Sequence, residues 1–217
     1  MPRSGLGVPS MRDFPVYLVI ASVWAYWIGI GAMLVRVRRR RHKLVGVVPE
    51  QRRERFMWLA WVPLAVLWIA SPWWAATRTS GVRALPDFAR ANALYVALRD
   101  LAAVVAVIAL AMTIRCWLRM GDDWRMDASA RNTTLITDGP YASIRHPIYA
   151  FSMLLLVCSL IVVPTWPMAA VAAFLLLLWN LKARNEEAHM KRLHGDDYAR
   201  YMQRTGRFVP RLFARHH

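Results

Sequence analysis

The run from Phe14 to Val35 is 22 residues long and carries no charge. At about 1.5 Å per residue that is enough helix to cross a hydrocarbon core about 30 Å thick. Such a segment is expected as a membrane-spanning helix, because in lipid every backbone N–H and C=O must be satisfied internally. A cleaved secretion signal would have an apolar core of about 7–15 residues preceded by positive charge. Here the arginine cluster follows the run, so the expectation is a retained span. The remainder agrees: with 57% hydrophobic and only 19% charged residues, and a mean hydropathy of +0.27, the chain holds more apolar surface than a water-soluble fold of 217 residues can bury.

Four further apolar stretches follow. The second span is expected over 56–76, with Pro63 as a kink and Trp73 and Trp74 as interfacial anchors, and the third over 93–118. Arg99 and Asp100 near the start of the third are read as an interfacial pair rather than a polar pathway. Ile148–Val163 and Met168–Leu181 are shorter and separated by Pro164-Thr-Trp-Pro167, which gives a short helical hairpin over 148–181 whose arms borrow flanking residues or stop short of full thickness. Irregular backbone at that depth is tolerated only against protein or a cavity, so the hairpin is expected beside a pocket. Gly29 and Gly31 lie within the first span, where close helix packing is their expected use.

The basic residues set the orientation. Of 29 Lys and Arg, 23 fall in 36–55, 115–145 and the tail from Lys182, five in the intervening segments, and one is Arg99. The positive-inside rule then puts the N-terminus outside and the C-terminus in the cytoplasm. The run RVRRRRHK reads as a stop-transfer and headgroup anchor, with membrane lipids and not nucleic acid as its partner. Two cysteines, Cys116 and Cys158, exclude a disulfide framework or a Cys-rich metal site, and no metal is expected. The fold class is therefore an all-α integral membrane protein of about five transmembrane helices plus cytoplasmic C-terminal helices. It divides into an N-terminal transmembrane region, 1–114, and a functional region, 115–217.

Chemistry-bearing side chains concentrate in Gly121–Tyr149 and Ala183–Leu212. In the first, Asp138-Gly139-Pro140-Tyr141 is a turn signal, and Pro147 suits the first position of a helix, where its missing N–H costs nothing. Arg145 and His146 then stand at a helix N-terminus whose free N–H groups, with the two positive residues, favour a bound anion. The plain alternative is a headgroup anchor and a capping histidine. In the second, Glu186 and Glu187 point about 100° apart, so one faces a pocket and the other solvent; the plain alternative for Glu187 is an i,i+4 pair with Lys191. Gly195 is expected to end this helix, with Asp196 or Asp197 starting the next and Tyr198 and Tyr201 on one face.

GPYASIRHPIY followed by an apolar hairpin, then the Glu186-Glu187 pair and GDDYARYMQRTGRFVP, with GDDWR upstream at Gly121–Arg125, resembles the isoprenylcysteine carboxyl methyltransferase family and its phospholipid methyltransferase relatives. The resemblance covers about the second half of the chain and departs from the family at Ala150-Phe151, which bears on the acceptor channel. It implies methyl transfer from S-adenosylmethionine in a membrane-embedded pocket closed by the C-terminal segments. It further implies that Tyr141, Arg145, His146, Pro147 and Tyr149 shape the cofactor site, with Arg145 and His146 on the methionyl carboxylate. Glu187, or Glu186 in its place, would take the cofactor's amino group or ribose or buttress Arg145; Tyr198 and Tyr201 would close over the adenine or support a lid. Arg145 and Glu187 are the expected catalytic residues, the alternative partner of Arg145 being an acceptor carboxylate. The acceptor is a lipophilic or small molecule bearing a carboxylate, amine or thiol.

The chain has no strand leading into a glycine-rich turn of the doubly wound nucleotide-binding kind, so an adenosyl cofactor would need another architecture. Two other readings stand: an NADPH-dependent enzyme of the sterol-reductase type, and a non-enzymatic membrane protein that binds anionic lipid. The Arg- and Ala-rich, Lys-poor composition points to a bacterial inner membrane.

Overall fold

The computed structural model describes residues 13–41, 52–78, 80–121 and 135–211, and among these every regular element is helical. In chain order they are α1 (Phe14–Arg41), α2 (Arg52–Thr77), the single turn α3 (Phe88–Ala91), α4 (Ala93–Met120), a 3₁₀ turn over Gly139–Ala142, α5 (Pro147–Val162) and α6 (Trp166–Arg204). Four helices are long and apolar enough to cross a membrane, over Phe14–Arg36, Leu59–Thr77, Ala93–Met120 and within Trp166–Arg204, and α5 is a shorter apolar helix. The protein is an all-α membrane protein. The 122–125 part of the upstream motif and the whole loop between α1 and α2, 42–51, lie outside the described residues.

The long helices outrun the bilayer. At 28 residues α1 is about 42 Å long, so its last turns carry their arginines clear of the hydrocarbon. Helix α2 continues unbroken through Pro63 and Pro72. The start of α4 is fixed by Asn92, whose side chain accepts the Tyr95 N–H at 3.0 Å and so satisfies one of the donors every helix start leaves free. α4 packs along α5 and α1, while α2 joins α1 to α6. Between them the core is aromatic: fully buried Trp68 lies against Tyr26 and Trp179, and Trp117 against Tyr26. Gly29 makes room for that packing, since a Cβ there would come within 2.5 Å of the Trp117 ring. Gly31 has no such neighbour, so only the first glycine serves helix approach.

The hairpin is asymmetric. α5 has 16 residues and α6 has 39, so the second arm crosses and then projects well beyond the end at which α5 begins. The end of the short arm packs against Arg99 and Tyr95 of α4. At 1% exposure Arg99 donates from Nε to the Val162 carbonyl at 3.1 Å and from Nη1 to the Ala89 carbonyl at 2.8 Å. Tyr95 likewise donates to the Ile161 carbonyl at 2.9 Å. A helix end leaves carbonyls unpaired, and where water does not reach them a side-chain donor must.

At that same end an open groove is lined by the 80–88 loop and the α5–α6 turn, with Asp87 its one ionisable residue. A cluster of charged side chains lies where α5 starts and α6 continues past it.

Candidate functional site

The head of α5 is built as its residues suggest and then capped by a segment far along the chain. Gly139 takes a φ of +57°, which opens the 3₁₀ turn and drops Tyr141 into the interior. Pro147 is the first residue of α5 and His146 its N-cap. The peptide before it runs beside residues 205–211, a C-terminal strap: Arg145 N–H donates to the Gly206 carbonyl at 2.8 Å, His146 N–H to the Arg207 carbonyl at 3.1 Å, and Gly206 N–H to the Ser143 carbonyl at 3.0 Å. The backbone N–H groups of Arg145 and His146, just ahead of the helix, are thus taken by strap carbonyls.

The negative charge at this helix start comes from the protein itself. The apolar part of α6 ends at Lys182, and one turn later Glu186 and Glu187 reach across to α5. Arg145 Nε donates to Glu187 Oε1 at 2.9 Å, with the two side chains 8% and 5% exposed. Arg145 Nη1 meanwhile donates to the carbonyls of Met202 and Thr205. His146 lies between the carboxylates, its Nδ1 3.4 Å from Glu186 and its Nε2 3.5 Å from Glu187. Tyr149 donates its hydroxyl to Glu186 at 2.6 Å, and its ring stacks on His146 at 5.6 Å with an interplanar angle of 9°.

Both carboxylates therefore face the cluster, in place of the expected division between pocket and solvent. The i,i+4 pair that forms is Lys182 with Glu186 at 3.6 Å, while Glu187 turns to the arginines.

Burial alone would push the Glu186 carboxyl up, but the hydrogen bond from His146, the Lys182 charge and Tyr149 outweigh it and hold it at about 2. Glu187 is likewise held well below the usual carboxylate range: burial opposes ionisation, and the neighbouring His146 with hydrogen bonds from Arg207 and Arg145 overcomes it. For His146 burial favours the neutral ring, and the two carboxylates reverse that and raise its pKa. These directions agree, since a buried charge persists where opposite charges and hydrogen bonds replace water.

Gly195 breaks α6 as expected. Its φ of +52° with ψ of −123° is a conformation side chains rarely allow, and the turns beyond it bring Tyr198 and Tyr201 inward, both buried. Their rings are 5.9 Å apart, and Tyr201 donates to the Tyr141 carbonyl at 2.7 Å. The Tyr141 hydroxyl is buried and has no hydrogen-bond partner among the described residues. All nine residues singled out in the sequence, Tyr141, Arg145, His146, Pro147, Tyr149, Glu186, Glu187, Tyr198 and Tyr201, thus belong to one region around the α5 head.

Sequence reasoning missed Arg207, which donates to Glu187 from Nε at 3.0 Å and from Nη2 at 2.6 Å, and Asn180, which accepts from Arg207 at 3.3 Å. The TGRF stretch carrying Arg207 belonged to the pattern that prompted the resemblance, but one arginine in a basic tail gives no local sign of a buried partner.

Residues 98–197, which span α4, α5 and most of α6, match the family model described as phospholipid methyltransferase. No curated protein matches the chain.

Proposed function

We infer, from a chain whose residues 98–197 belong to the phospholipid methyltransferase family, that this membrane methyltransferase uses S-adenosylmethionine and that the cluster at the head of α5 is where it binds. The observation that carries the reading is His146 held between Glu186 and Glu187, with Arg145 on the inner carboxylate, inside the matched residues. The donor set fits the cofactor. A ligand with an ammonium, a carboxylate and a sulfonium needs a site of both signs, and the buried, unpartnered Tyr141 hydroxyl offers a further donor to its polar groups.

When bound, the cofactor supplies an electrophilic methyl on a sulfonium whose positive charge is lost on transfer, so the protein needs no strong acid and contributes mainly orientation. Glu186 and Glu187, kept ionised, hold ammonium or ribose hydroxyls. Arg145 is committed to Glu187 and to strap carbonyls and acts through them. Tyr201 holds the turn before α5 through the Tyr141 carbonyl, and Tyr198 packs beside it. A carboxylate acceptor needs no base, whereas a thiol or an ammonium group must lose a proton before it can attack.

The acceptor is a lipophilic or small molecule reaching the site from the bilayer or the cytoplasm. The protein sits in a bacterial inner membrane with its N-terminus outside and its C-terminus cytoplasmic, a reading supported by the distribution of basic residues.

The test is binding of labelled S-adenosylmethionine and of NADPH to detergent-purified protein, followed by incubation of membranes containing it with methyl-labelled cofactor and separation of lipid, volatile and protein fractions. S-adenosylmethionine binding with label in one acceptor fraction is expected. NADPH binding alone would favour a reductase, and binding of neither would leave a lipid-binding protein.

A further inference from the structure

We propose that Arg207 is a positioning residue of this site: it fixes the Glu187 carboxylate from the strap side and ties the strap to the head of α5. The proposal rests on the reading of Glu187 as a ligand-holding group. Arg207 lies beyond the residues matched to the family, so nothing in that match assigns it a role.

Five groups besides Glu187 define the arrangement. From the head of α5, Arg145 and His146 approach Glu187 Oε1, at 2.9 and 3.5 Å. From the strap, Arg207 contacts both carboxylate oxygens, Oε1 at 3.0 Å and Oε2 at 2.6 Å. From α6, Asn180 accepts from the other side of the Arg207 guanidinium at 3.3 Å, and Tyr198 adds electrostatic coupling to Glu187. A two-point guanidinium contact fixes the plane of a carboxylate as well as its position.

The backbone of the same residue makes the second link, for its carbonyl accepts the His146 N–H at 3.1 Å. Just before it, Gly206 lets the strap fold back: a Cβ there would fall 1.7 Å from the Val209 carbonyl oxygen. One residue thus reports the position of the strap to both His146 and Glu187.

Arg207 is also separable from the fold. Its side chain is 31% exposed where that of Arg145 is 8% exposed, so its removal lets water reach Glu187 Oε2 instead of leaving the carboxylate sealed and uncompensated. The test uses the full chain in detergent as wild type, Arg207→Ala and Arg207→Lys. S-adenosylmethionine binding is measured across pH, and thermal unfolding without ligand is measured for a double-mutant cycle with Glu187→Gln.

Arg207→Ala is expected to bind S-adenosylmethionine about 10-fold or more weakly. The acid limb of its binding profile should move to higher pH, because Glu187 loses a cation that keeps it ionised. Arg207→Lys should restore the limb but only part of the affinity, since an ammonium cannot make the two-point contact. In the cycle, Arg207→Ala and Glu187→Gln should be clearly less than additive.

Unchanged affinity and limb in folded Arg207→Ala overturn the proposal, as does tighter binding, which would make Arg207 a competitor of the ligand for Glu187. Additive unfolding effects overturn the Arg207–Glu187 arrangement whatever the ligand is. A wild-type chain that binds no S-adenosylmethionine instead overturns the cofactor assignment, and the cycle still decides whether Arg207 positions Glu187.

Discussion

Arg145 and Glu187, 42 residues apart in the chain, meet through a 2.9 Å hydrogen bond between Nε and Oε1 with both side chains nearly sealed from solvent. The contact joins the start of α5 to the part of α6 that has left the bilayer. Because Arg145 also donates to the Met202 and Thr205 carbonyls, the same guanidinium anchors the last turn of α6 and the beginning of the strap.

Replacing Arg145 by Ala should therefore cost both structure and binding. Loss of its charge-assisted contacts is expected to lower unfolding stability by about 1.5–3 kcal/mol and to weaken S-adenosylmethionine binding by a comparable factor. Arg39→Ala, at an exposed position near the end of α1, should change neither. A folded Arg145→Ala that binds normally but does not turn over would transfer Arg145 to the acceptor carboxylate.

Stability should fall on both sides of a plateau. The raised pKa of His146 means its contribution is complete below the ordinary histidine value of about 6.5 and is lost as pH climbs through the raised value. Glu186 runs the other way: its contribution is complete above the ordinary glutamate value of about 4.5 and disappears as pH falls to about 2. Thermal melts of His146→Gln should lose the alkaline decline and move the acid one to higher pH, since His146 is the first of the groups that hold Glu186 down. A wild-type profile with no alkaline decline would contradict the carboxylate–imidazole arrangement.

Gly206→Ala should loosen the strap, because the added methyl meets backbone and not a flexible side chain. Overpacking of this kind costs about 1–3 kcal/mol, and limited proteolysis should cut the C-terminal segment earlier than in wild type. Gly31→Ala, with nothing within 4 Å, is the control and should match wild type.

Arg99→Leu should destabilise the bundle by leaving the Val162 and Ala89 carbonyls without their donor, at about 1–3 kcal/mol for each buried orphan. Chemical unfolding in detergent measures this. An unchanged midpoint would mean that water or lipid headgroups reach the end of α5.

Reporter tags at the two termini should appear on opposite sides of the membrane, the N-terminal tag outside. Tags on the same side would remove one crossing, and α5, the shortest helix of the set, would be the first to re-examine.

Run length and charge placement were enough to find the membrane helices, because crossing a bilayer is a demand each segment meets by itself: Phe14–Val35 needs no partner to be read as a span. Pro147 at the start of α5 and the break at Gly195 were legible for the same reason, since both are properties of local backbone. What lies beside what was not. Helical periodicity relates a residue to those three and four positions away, so it offered Lys191 to Glu187, whereas packing supplied Arg145 and, across the Gly195 break, Arg207. That Arg99 is sealed against the Val162 and Ala89 carbonyls was not legible either, because which backbone a neighbouring element brings beside a side chain is a matter of packing. The sequence alone determined a basic-ended helical membrane protein with its polar chemistry in two stretches. Only the tertiary structure decided that those stretches close on one another around His146, because that depends on how five helices share their buried faces.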